Sequence, residues 1–313
     1  MKAVRCSEGA VSLVDVPVPA GDGIRVKIRS AGICGSDLHL LTSPFAPAVT
    51  LGHEMAGELS DGTAVAIEPI KACGHCDCCV GGHYNLCRAG PTGLLGVGHD
   101  GGMAEEIRVP ETCLSRLPSS LPVRDACLVE PVAVAVHGLR RLGLEAGTRM
   151  LVIGGGTIGL CAVAAARAMG ARVSLEARHD AQLEAGMRLG AEPALPEYDV
   201  VVDAAGTESA LERAATVTRP RGTLLLLATY WDGMVMPALP LCMKELSVVP
   251  SSMYGRKQGV RDFDEAVRLL AKTPELAETV ITHRFPLEAA VAAFEQARQR
   301  DSGAIKVVLE SGA

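Results

Sequence analysis

The architecture of this chain is predicted most directly by one segment, Met150-Leu-Val-Ile-Gly154-Gly-Gly156-Thr-Ile-Gly159. It predicts a short buried strand that enters a glycine-rich turn, and the Ala- and Leu-rich segment 160–169 that follows is typical of a helix. In that setting Gly154 permits the turn, Gly156 lets the backbone approach a pyrophosphate, and Gly159 lets helix and strand pack closely. A glycine pattern alone could mark any tight turn, but strand, turn and helix together predict a dinucleotide site.

Short apolar strands alternate with longer Ala- and Leu-rich helical stretches from about Ala126 onward. The strands are predicted at 150–153, 172–175, 199–202 and 223–228. Such alternation predicts right-handed strand–helix–strand units and a parallel sheet. At the glycine turn, the residues expected to contact the cofactor are Gly154, Gly156, Thr157, Ile158 and Gly159.

The strand that follows the glycine turn ends in Ser174-Leu-Glu176-Ala177-Arg178-His179. In an NAD site an acidic residue at this point accepts hydrogen bonds from the adenosine ribose, and Glu176 could fill that role. Arg178 and His179, next to a small residue, would equally suit the 2'-phosphate of NADP. Both Glu176 and Arg178 could also be no more than solvated charges at a strand end.

The first third of the chain is rich in Gly, Pro and short β-branched runs such as Ile24–Ile28 and Thr63–Ile67. Their alternation suits the half-buried strands of a β-rich domain. After about Tyr254, an amphipathic segment at 260–270 and a further segment at 287–296 precede a final strand at 304–309. We therefore expect domains at 1–125 and 126–254, with residues 255–313 returning to the first domain.

The composition is that of an ordinary globular protein, and 313 residues are enough for two domains. Acidic residues outnumber basic ones by 36 to 30, which argues against a nucleic-acid partner. The N-terminus lacks the apolar run of a signal peptide, and no apolar stretch reaches the roughly 18 residues that a membrane span needs. We expect a cytoplasmic protein without a membrane partner.

A cluster of cysteines follows the first strands. Cys73, Cys76, Cys79 and Cys87 supply four thiolates within fifteen residues, and Zn2+ in a structural role favours a closed shell of such ligands. The spacing predicts a structural zinc lobe in which Cys78 is a spare thiol. A disulfide framework is the alternative, but the adjacent Cys78 and Cys79 and the odd total of 11 cysteines argue against it.

Three further motifs are Gly32-Ile-Cys34-Gly-Ser-Asp37-Leu-His39, Gly52-His53-Glu54-Met-Ala-Gly57 and Glu130-Pro-Val-Ala-Val-Ala-Val-His137. Together with the cysteine lobe and the glycine turn they cover nearly the full length, and the whole resembles the zinc-dependent medium-chain alcohol and polyol dehydrogenases. The resemblance implies an α/β protein with a β-rich, GroES-like catalytic domain and a doubly wound Rossmann domain. It also implies a homodimer or homotetramer formed through the nucleotide domain.

In that family the first cysteine and the histidine of the Gly-His-Glu motif hold a catalytic zinc, which implies Cys34 and His53 as ligands. The sorbitol dehydrogenase-like branch has a glutamate as third ligand, and Glu130 matches it. Glu54 can also reach the metal in that branch. The implied ligands are therefore Cys34, His53, Glu54 and Glu130, with either carboxylate acting directly or through water. In the alternative reading, Glu54 lies behind the ligands and Glu130 only favours a helix N-terminus.

Three more residues match groups beside the zinc of that family. Asp37 matches a carboxylate that orients the zinc histidine. Ser36 and His39 match the proton relay, although a histidine near a loop is often simply solvated. The implied reaction passes a hydride between an alcohol and a nicotinamide, while the proton leaves through Ser36, the nicotinamide ribose and His39.

The cofactor and the substrate are specified less closely. Ala177 stands where NAD-dependent members have an aspartate, and Arg178 follows it, which favours NADP over NAD. A sugar 1-dehydrogenase or an aldehyde reductase would fit the same scaffold as an alcohol dehydrogenase. A non-enzymatic nucleotide-binding protein is disfavoured because it would not need the metal-ligand set. Phe45, Trp231 and Met253 could line the substrate pocket or serve only in packing.

Overall fold

The computed structural model describes residues 1–7, 9–42, 48–231 and 233–312, and the chain forms two compact units. The first unit contains Met1–Glu130, Gly255–Ala277 and Ile281–Ala313, and the second contains Pro131–Tyr254 and Glu278–Val280. The first unit is therefore built from separate stretches of sequence, whereas the second is almost continuous.

The strands, in chain order, are β1 Lys2–Ser7, β2 Ala10–Asp15, β3 Ile24–Gly32, β4 Glu54–Glu58, β5 Ala64–Ile67, β6 Glu106–Val109, β7 Leu114–Arg116, β8 Arg149–Ile153, β9 Arg172–Glu176, β10 Tyr198–Asp203, β11 Thr218–Leu226, β12 Ser247–Pro250, β13 Arg256–Lys257, β14 Val260–Arg261, β15 Ile281–Pro286 and β16 Lys306–Glu310. The helices are α1 Gly35–Leu41, α2 Asp77–Val80, α3 Val129–Leu142, α4 Thr157–Ala168, α5 Asp180–Arg188, α6 Glu208–Val217, α7 Ala238–Met243, α8 Asp262–Lys272, α9 Pro274–Val280 and α10 Ala290–Arg298.

A seven-stranded sheet forms the centre of the first unit. Six of its strands follow the order β15-β16-β3-β4-β5-β7, and β6 pairs with the first half of β3. Only β15 and β16 run parallel to each other, and the other pairs are antiparallel. The register places Gly32 of β3 between Glu54 of β4 and Val308 of β16.

Alternate residues of these strands point into the hydrophobic core of the first unit. Val26 and Ile28 of β3 are buried together with Met55, Ile67 and Leu309 of the neighbouring strands. Burying a side chain of this size contributes about 1.5–3 kcal/mol. The half-buried strands predicted for this domain are confirmed, and the register that this core enforces also positions the polar residues described below.

The second unit contains a five-stranded parallel sheet in the order β12-β11-β10-β8-β9. Met150, Leu151 and Val152 of strand β8, which lies between β10 and β9, are completely buried. Helix α4 starts directly after the glycine turn and is buried along most of its length. The parallel sheet predicted from strand–helix alternation is confirmed.

A buried polar cluster joins three elements of the first unit. Glu68 follows β5, is only 2% exposed, and accepts a hydrogen bond from Arg261 Nη1 at 3.1 Å. The Arg261 guanidinium also donates to Asp264 of α8, to Ser115 of β7 and to the carbonyl groups of Thr112 and Leu114. Burial raises the pKa of Glu68 to about 7, although the Tyr84 hydroxyl and the Arg261 guanidinium lower it.

We predict that Glu68 makes the stability of the first unit depend on pH near neutrality. The unfolded chain releases the Glu68 proton near pH 4.5 and the folded chain near pH 7, so stability is highest below the lower value and falls as the pH rises through the higher one. The loss should approach about 3 kcal/mol above pH 7.5. Urea unfolding of the parent and of Glu68→Gln between pH 5 and pH 8 measures it.

The Glu68→Gln variant should lose this part of the pH dependence. Glu265→Gln is the matched control, because Glu265 is a partly exposed carboxylate of the same helix, α8, and pairs with Arg268 at the surface. If the parent and Glu68→Gln respond identically to pH, Glu68 does not titrate in this range.

Candidate metal and cofactor sites

Cys34 lies in the turn between β3 and α1, and the turn is held by a buried carboxylate. The backbone N–H of Cys34 donates to Asp37 Oδ2 at 2.9 Å, and the backbone N–H of Asp37 approaches the Cys34 side chain in a reciprocal cap of the helix. Asp37 is 1% exposed. The Cys34 thiol therefore has a fixed position at the end of β3.

His53 precedes β4 and is oriented by two residues of α1. Its Nδ1 lies 3.4 Å from Asp37 Oδ1, and its Nε2 lies 3.3 Å from the Ser36 hydroxyl oxygen. Burial lowers the pKa of His53, but the charges and hydrogen bonds of Asp37 and Cys34 outweigh burial and raise it well above its usual value. The ring is thus held with one nitrogen toward a carboxylate and the other toward Ser36 and Cys34.

Three donor atoms meet at this point. Cys34 Sγ, a ring nitrogen of His53 and a carboxylate oxygen of Glu54 all lie within 4.8 Å of one another. Sulfur, imidazole and carboxylate are ligands that a tetrahedral Zn2+ accepts at about 2.0–2.3 Å, which requires donor atoms at this mutual spacing. The residues therefore fit a zinc ion with a fourth position open to water or substrate.

Two other residues were expected around the zinc, Glu130 and His39. Among the described residues, Glu130 does not belong to the set of mutually close donors, although it is buried in the first turn of α3. His39 is exposed on α1, three residues after Ser36 and therefore on the same side of the helix.

Glu54 has a partner that the sequence analysis missed. Lys306 Nζ, which is buried on β16, donates to both carboxylate oxygens of Glu54 at 2.7 Å and to the carbonyl oxygen of Ile33 at 2.9 Å. Burial lowers the pKa of Lys306, but the charges of Glu54 and Cys34 more than offset this and raise it. The sequence did contain one indication of this pair, which is the single lysine in the apolar run 304–309. A lysine buried in such a strand needs an acidic partner.

The cysteine lobe forms a second group of donors. The sulfur atoms of Cys73, Cys76, Cys79 and Cys87 lie within 4.8 Å of one another, and Cys78 is not part of this group of described residues. Backbone N–H groups of Arg88 and Cys79 lower the pKa of the Cys76 thiol to about 6. Because thiolate is the form that binds zinc, four sulfur atoms with amide donors around them fit a closed structural site.

The glycine turn has the geometry that a pyrophosphate requires. Gly154 has a φ of +110°, and a Cβ added to Gly159 would lie 1.8 Å from the Gly154 carbonyl oxygen. The positive φ therefore accounts for glycine at position 154, and close packing within the protein accounts for glycine at position 159. Gly156 is different, because a Cβ there would meet nothing within 4 Å. The open space over Gly156, at the start of α4, fits a phosphate that approaches the backbone.

The side chains at the end of β9 and just after it face in different directions. The Glu176 carboxylate is held by the Arg213 guanidinium of α6, with distances of 2.6 to 3.2 Å. Ala177 faces the glycine turn instead, since a Cβ added to Gly155 would lie 2.7 Å from that of Ala177. Arg178 is exposed beside it. Arg213 was not foreseen, because no local pattern connects it with a residue 37 positions earlier.

The candidate pocket residues receive no assignment from the structure. Phe45 lies outside the described residues. Trp231 is 43% exposed, and Met253 has a φ of +52°.

Among the described helices, none is both long and apolar enough to cross a membrane.

Comparisons with known proteins agree with this geometry. A family model described as the alcohol dehydrogenase GroES-like domain matches residues 20–119, and one described as zinc-binding dehydrogenase matches residues 157–272. The chain is 30% identical to the L-galactonate-5-dehydrogenase of Escherichia coli strain K12, with 90% of each protein covered. It is 29% identical to the sorbitol dehydrogenase of Bacillus subtilis strain 168, covering 98% of this chain and 96% of that protein.

A solved structure extends the comparison to three dimensions. A Sinorhizobium meliloti 1021 protein assigned as a zinc-binding dehydrogenase, and solved with bound NADP, superposes with a TM-score of 0.85. Its sequence is 28% identical, and the superposition covers 99% of this chain and 98% of that one. The chain therefore belongs to the zinc-dependent medium-chain alcohol and polyol dehydrogenase family, in its sorbitol dehydrogenase-like branch.

Proposed function

We propose that this chain transfers a hydride between a polyol or secondary alcohol and NADP or NAD, with a zinc ion held by Cys34, His53 and Glu54. The observation that carries the proposal is the meeting of three different zinc donors within 4.8 Å, with Asp37 placed behind the histidine. Zinc, when bound, supplies Lewis-acid polarisation of the substrate oxygen. Glu130 would act on the metal through water, because it is buried in the first turn of α3 but lies outside the group of mutually close donors.

The chain's own residues hold the reacting groups and move the proton. The Asp37 carboxylate, 3.4 Å from His53 Nδ1, would favour a proton on that nitrogen, which would leave Nε2 as the metal ligand. The Ser36 hydroxyl, 3.3 Å from that nitrogen, accepts the substrate proton. His39 passes the proton to water, because it is exposed on the same side of α1. The glycine turn binds the pyrophosphate and so places the cofactor.

The substrate is proposed as a polyhydroxy compound, because the two relatives named above are called L-galactonate-5-dehydrogenase and sorbitol dehydrogenase. A sugar 1-dehydrogenase or an aldehyde reductase is the second candidate, since either reaction would use the same zinc ligands. A nucleotide-binding protein without enzymatic activity would leave the converging donors unexplained.

We predict that the two metal sites can be separated by single substitutions. Cys34→Ser should lower the zinc content from two ions to one per chain and abolish turnover while NADPH binding is retained. Cys76→Ser should remove the other zinc and lower the melting temperature, because that metal stabilises the lobe. Zinc content by mass spectrometry, turnover of sorbitol and other polyols, and thermal unfolding measure these effects.

Cys78→Ser is the matched control, because Cys78 lies in the lobe but outside its donor group. It should keep both zinc ions and full turnover. Unchanged turnover or two zinc ions in Cys34→Ser would rule out the proposed catalytic site.

The preference for NADP is proposed from the residues after β9. The Arg213 guanidinium engages both carboxylate oxygens of Glu176, so this carboxylate is not free to bind a ribose. Ala177, beside the glycine turn, leaves room for a 2'-phosphate. The exposed guanidinium of Arg178 supplies the opposite charge, and such charge-assisted hydrogen bonds are the stronger ones.

We predict that Arg178→Ala weakens NADPH binding by about 1.5–3 kcal/mol, which is roughly 10- to 150-fold, and changes NADH binding little. Fluorescence titration with each nucleotide measures the effect. Arg188→Ala is the control, because Arg188 is an exposed arginine of the adjacent helix α5 whose recorded partner is Glu184. Equal NADPH affinity in Arg178→Ala and the parent would overturn the assignment.

A homodimer or homotetramer formed through the second unit is also part of the proposal. Strand β12 lies at one edge of the parallel sheet, and Val235, Leu239 and Met243 just before it are 66%, 73% and 76% exposed. Exposed apolar side chains beside a sheet edge suit a second copy of the same surface. A cytoplasmic location belongs to the proposal as well, because both sets of zinc ligands need reduced thiols.

We predict that the double variant Leu239→Glu and Met243→Glu dissociates the oligomer, because four charges would be buried at a symmetric dimer interface. Light scattering after size-exclusion chromatography measures the mass. Met187→Glu is the control, since Met187 is 63% exposed on α5, after the strand at the opposite edge of the sheet. A double variant with the parent's mass would place the interface elsewhere.

A further inference from the structure

Lys306 is a lysine inside an apolar strand. Its neighbours on β16, Val307, Val308 and Leu309, are 0 to 2% exposed, and Lys306 itself is 2% exposed. A buried ammonium group is costly unless other groups replace its hydration. The three hydrogen bonds to Ile33 and Glu54 satisfy all three N–H donors of Lys306, so the group is fully coordinated by the protein.

The pair between Lys306 and Glu54 crosses an intervening strand. Glu54 of β4 and Val308 of β16 are both in register with Gly32 of β3. A Cβ on Gly32 would lie 2.1 Å from Glu54 Oε2, so any side chain at this position would block the path of the carboxylate. The missing side chain of Gly32 is what lets Glu54 reach a lysine two strands away.

The Glu54 carboxylate faces both the Lys306 ammonium group and the proposed metal site. Lys306 holds both of its oxygens, and one of these oxygens belongs to the donor group with Cys34 and His53. A metal ion at that group and the Lys306 ammonium would therefore both be attracted to Glu54 and would repel each other across a few ångströms of buried protein. Neither position can gain a shorter contact with Glu54 without weakening the other.

We propose that Lys306 is a resident counter-cation of the metal centre, which holds the Glu54 carboxylate in place without zinc and competes with zinc for the same carboxylate when it binds. The proposal rests on the zinc site proposed above. Lys306 thereby acts as a positioning residue that lets the donor group assemble before the metal arrives, at the expense of the final affinity for zinc.

Replacing the lysine tests both halves of this role. Lys306→Met should lower the melting temperature of the zinc-free protein, because the Glu54 charge loses its buried partner. It should bind zinc roughly tenfold or more tightly, because the competing cation is gone. The rise in melting temperature on adding zinc should then be larger in the variant than in the parent, since binding to the folded state stabilises it. Chelator competition and thermal unfolding measure the two quantities.

Two further variants keep the test decisive. The double variant Glu54→Gln with Lys306→Met has neither charge, so it should recover the stability of the zinc-free protein and lose the gain in zinc affinity. Lys306→Arg retains the cation and should stay near the parent in both measurements. If Lys306→Met is unfolded without metal, the proposal requires that it folds when zinc is added during refolding.

Zinc affinity in Lys306→Met that is equal to or weaker than that of the parent would overturn the proposal, as would an unchanged stability of its zinc-free form. The measurements would differ if zinc does not bind at Cys34, His53 and Glu54 at all. In that case the parent would bind only the zinc of the cysteine lobe, and Cys34→Ser would have the same zinc content as the parent. The visible spectrum of the cobalt-substituted protein adds a further readout, because its bands should change in Lys306→Met as Glu54 moves toward the metal.

Discussion

The register of three adjacent strands at Gly32 is the constraint on which the chemistry of the first unit depends. Gly32 lies between Glu54 and Val308, and the chain turns into α1 two residues later, at Cys34. Because side chains alternate along a strand, a shift of β4 by one residue would move Glu54 to the opposite face of the sheet. Such a shift would also take Met55 out of the hydrophobic core, so the core that stabilises the sheet also favours this arrangement of the candidate metal ligands.

The two candidate metal sites differ in how far they were predictable from sequence. All four ligands of the cysteine lobe lie within one short segment, so their spacing alone indicates a zinc site. The other group combines Cys34 with His53 and Glu54 through strand pairing, and only the resemblance to a known family connected these residues. The strand, turn and helix around Gly154 were also predictable, since hydrophobic periodicity and turn chemistry are local properties.

The identity of the partners in long-range ion pairs lay beyond what the sequence could indicate. Lys306 is 252 residues from Glu54 along the chain, and Arg213 is 37 residues from Glu176. Neither separation leaves a periodic signal, and both pairs alter the interpretation of a residue that had been singled out. Glu176 was a candidate for a ribose contact, and its carboxylate is paired with the Arg213 guanidinium. Glu54 remains a candidate ligand, and its carboxylate is also held by Lys306.

The placement of β16 in the central sheet has a consequence for the synthesis of the chain on the ribosome. The second unit is almost continuous in sequence and can fold as soon as residues 131–254 have left the exit tunnel. The first unit has to wait, because the second half of β3 lacks its neighbour on the β16 side until Lys306–Glu310 emerges. Until then β3 has an open edge and Glu54 has no buried cation beside it. The nascent chain therefore carries a finished nucleotide-binding unit between two halves of an unfinished one.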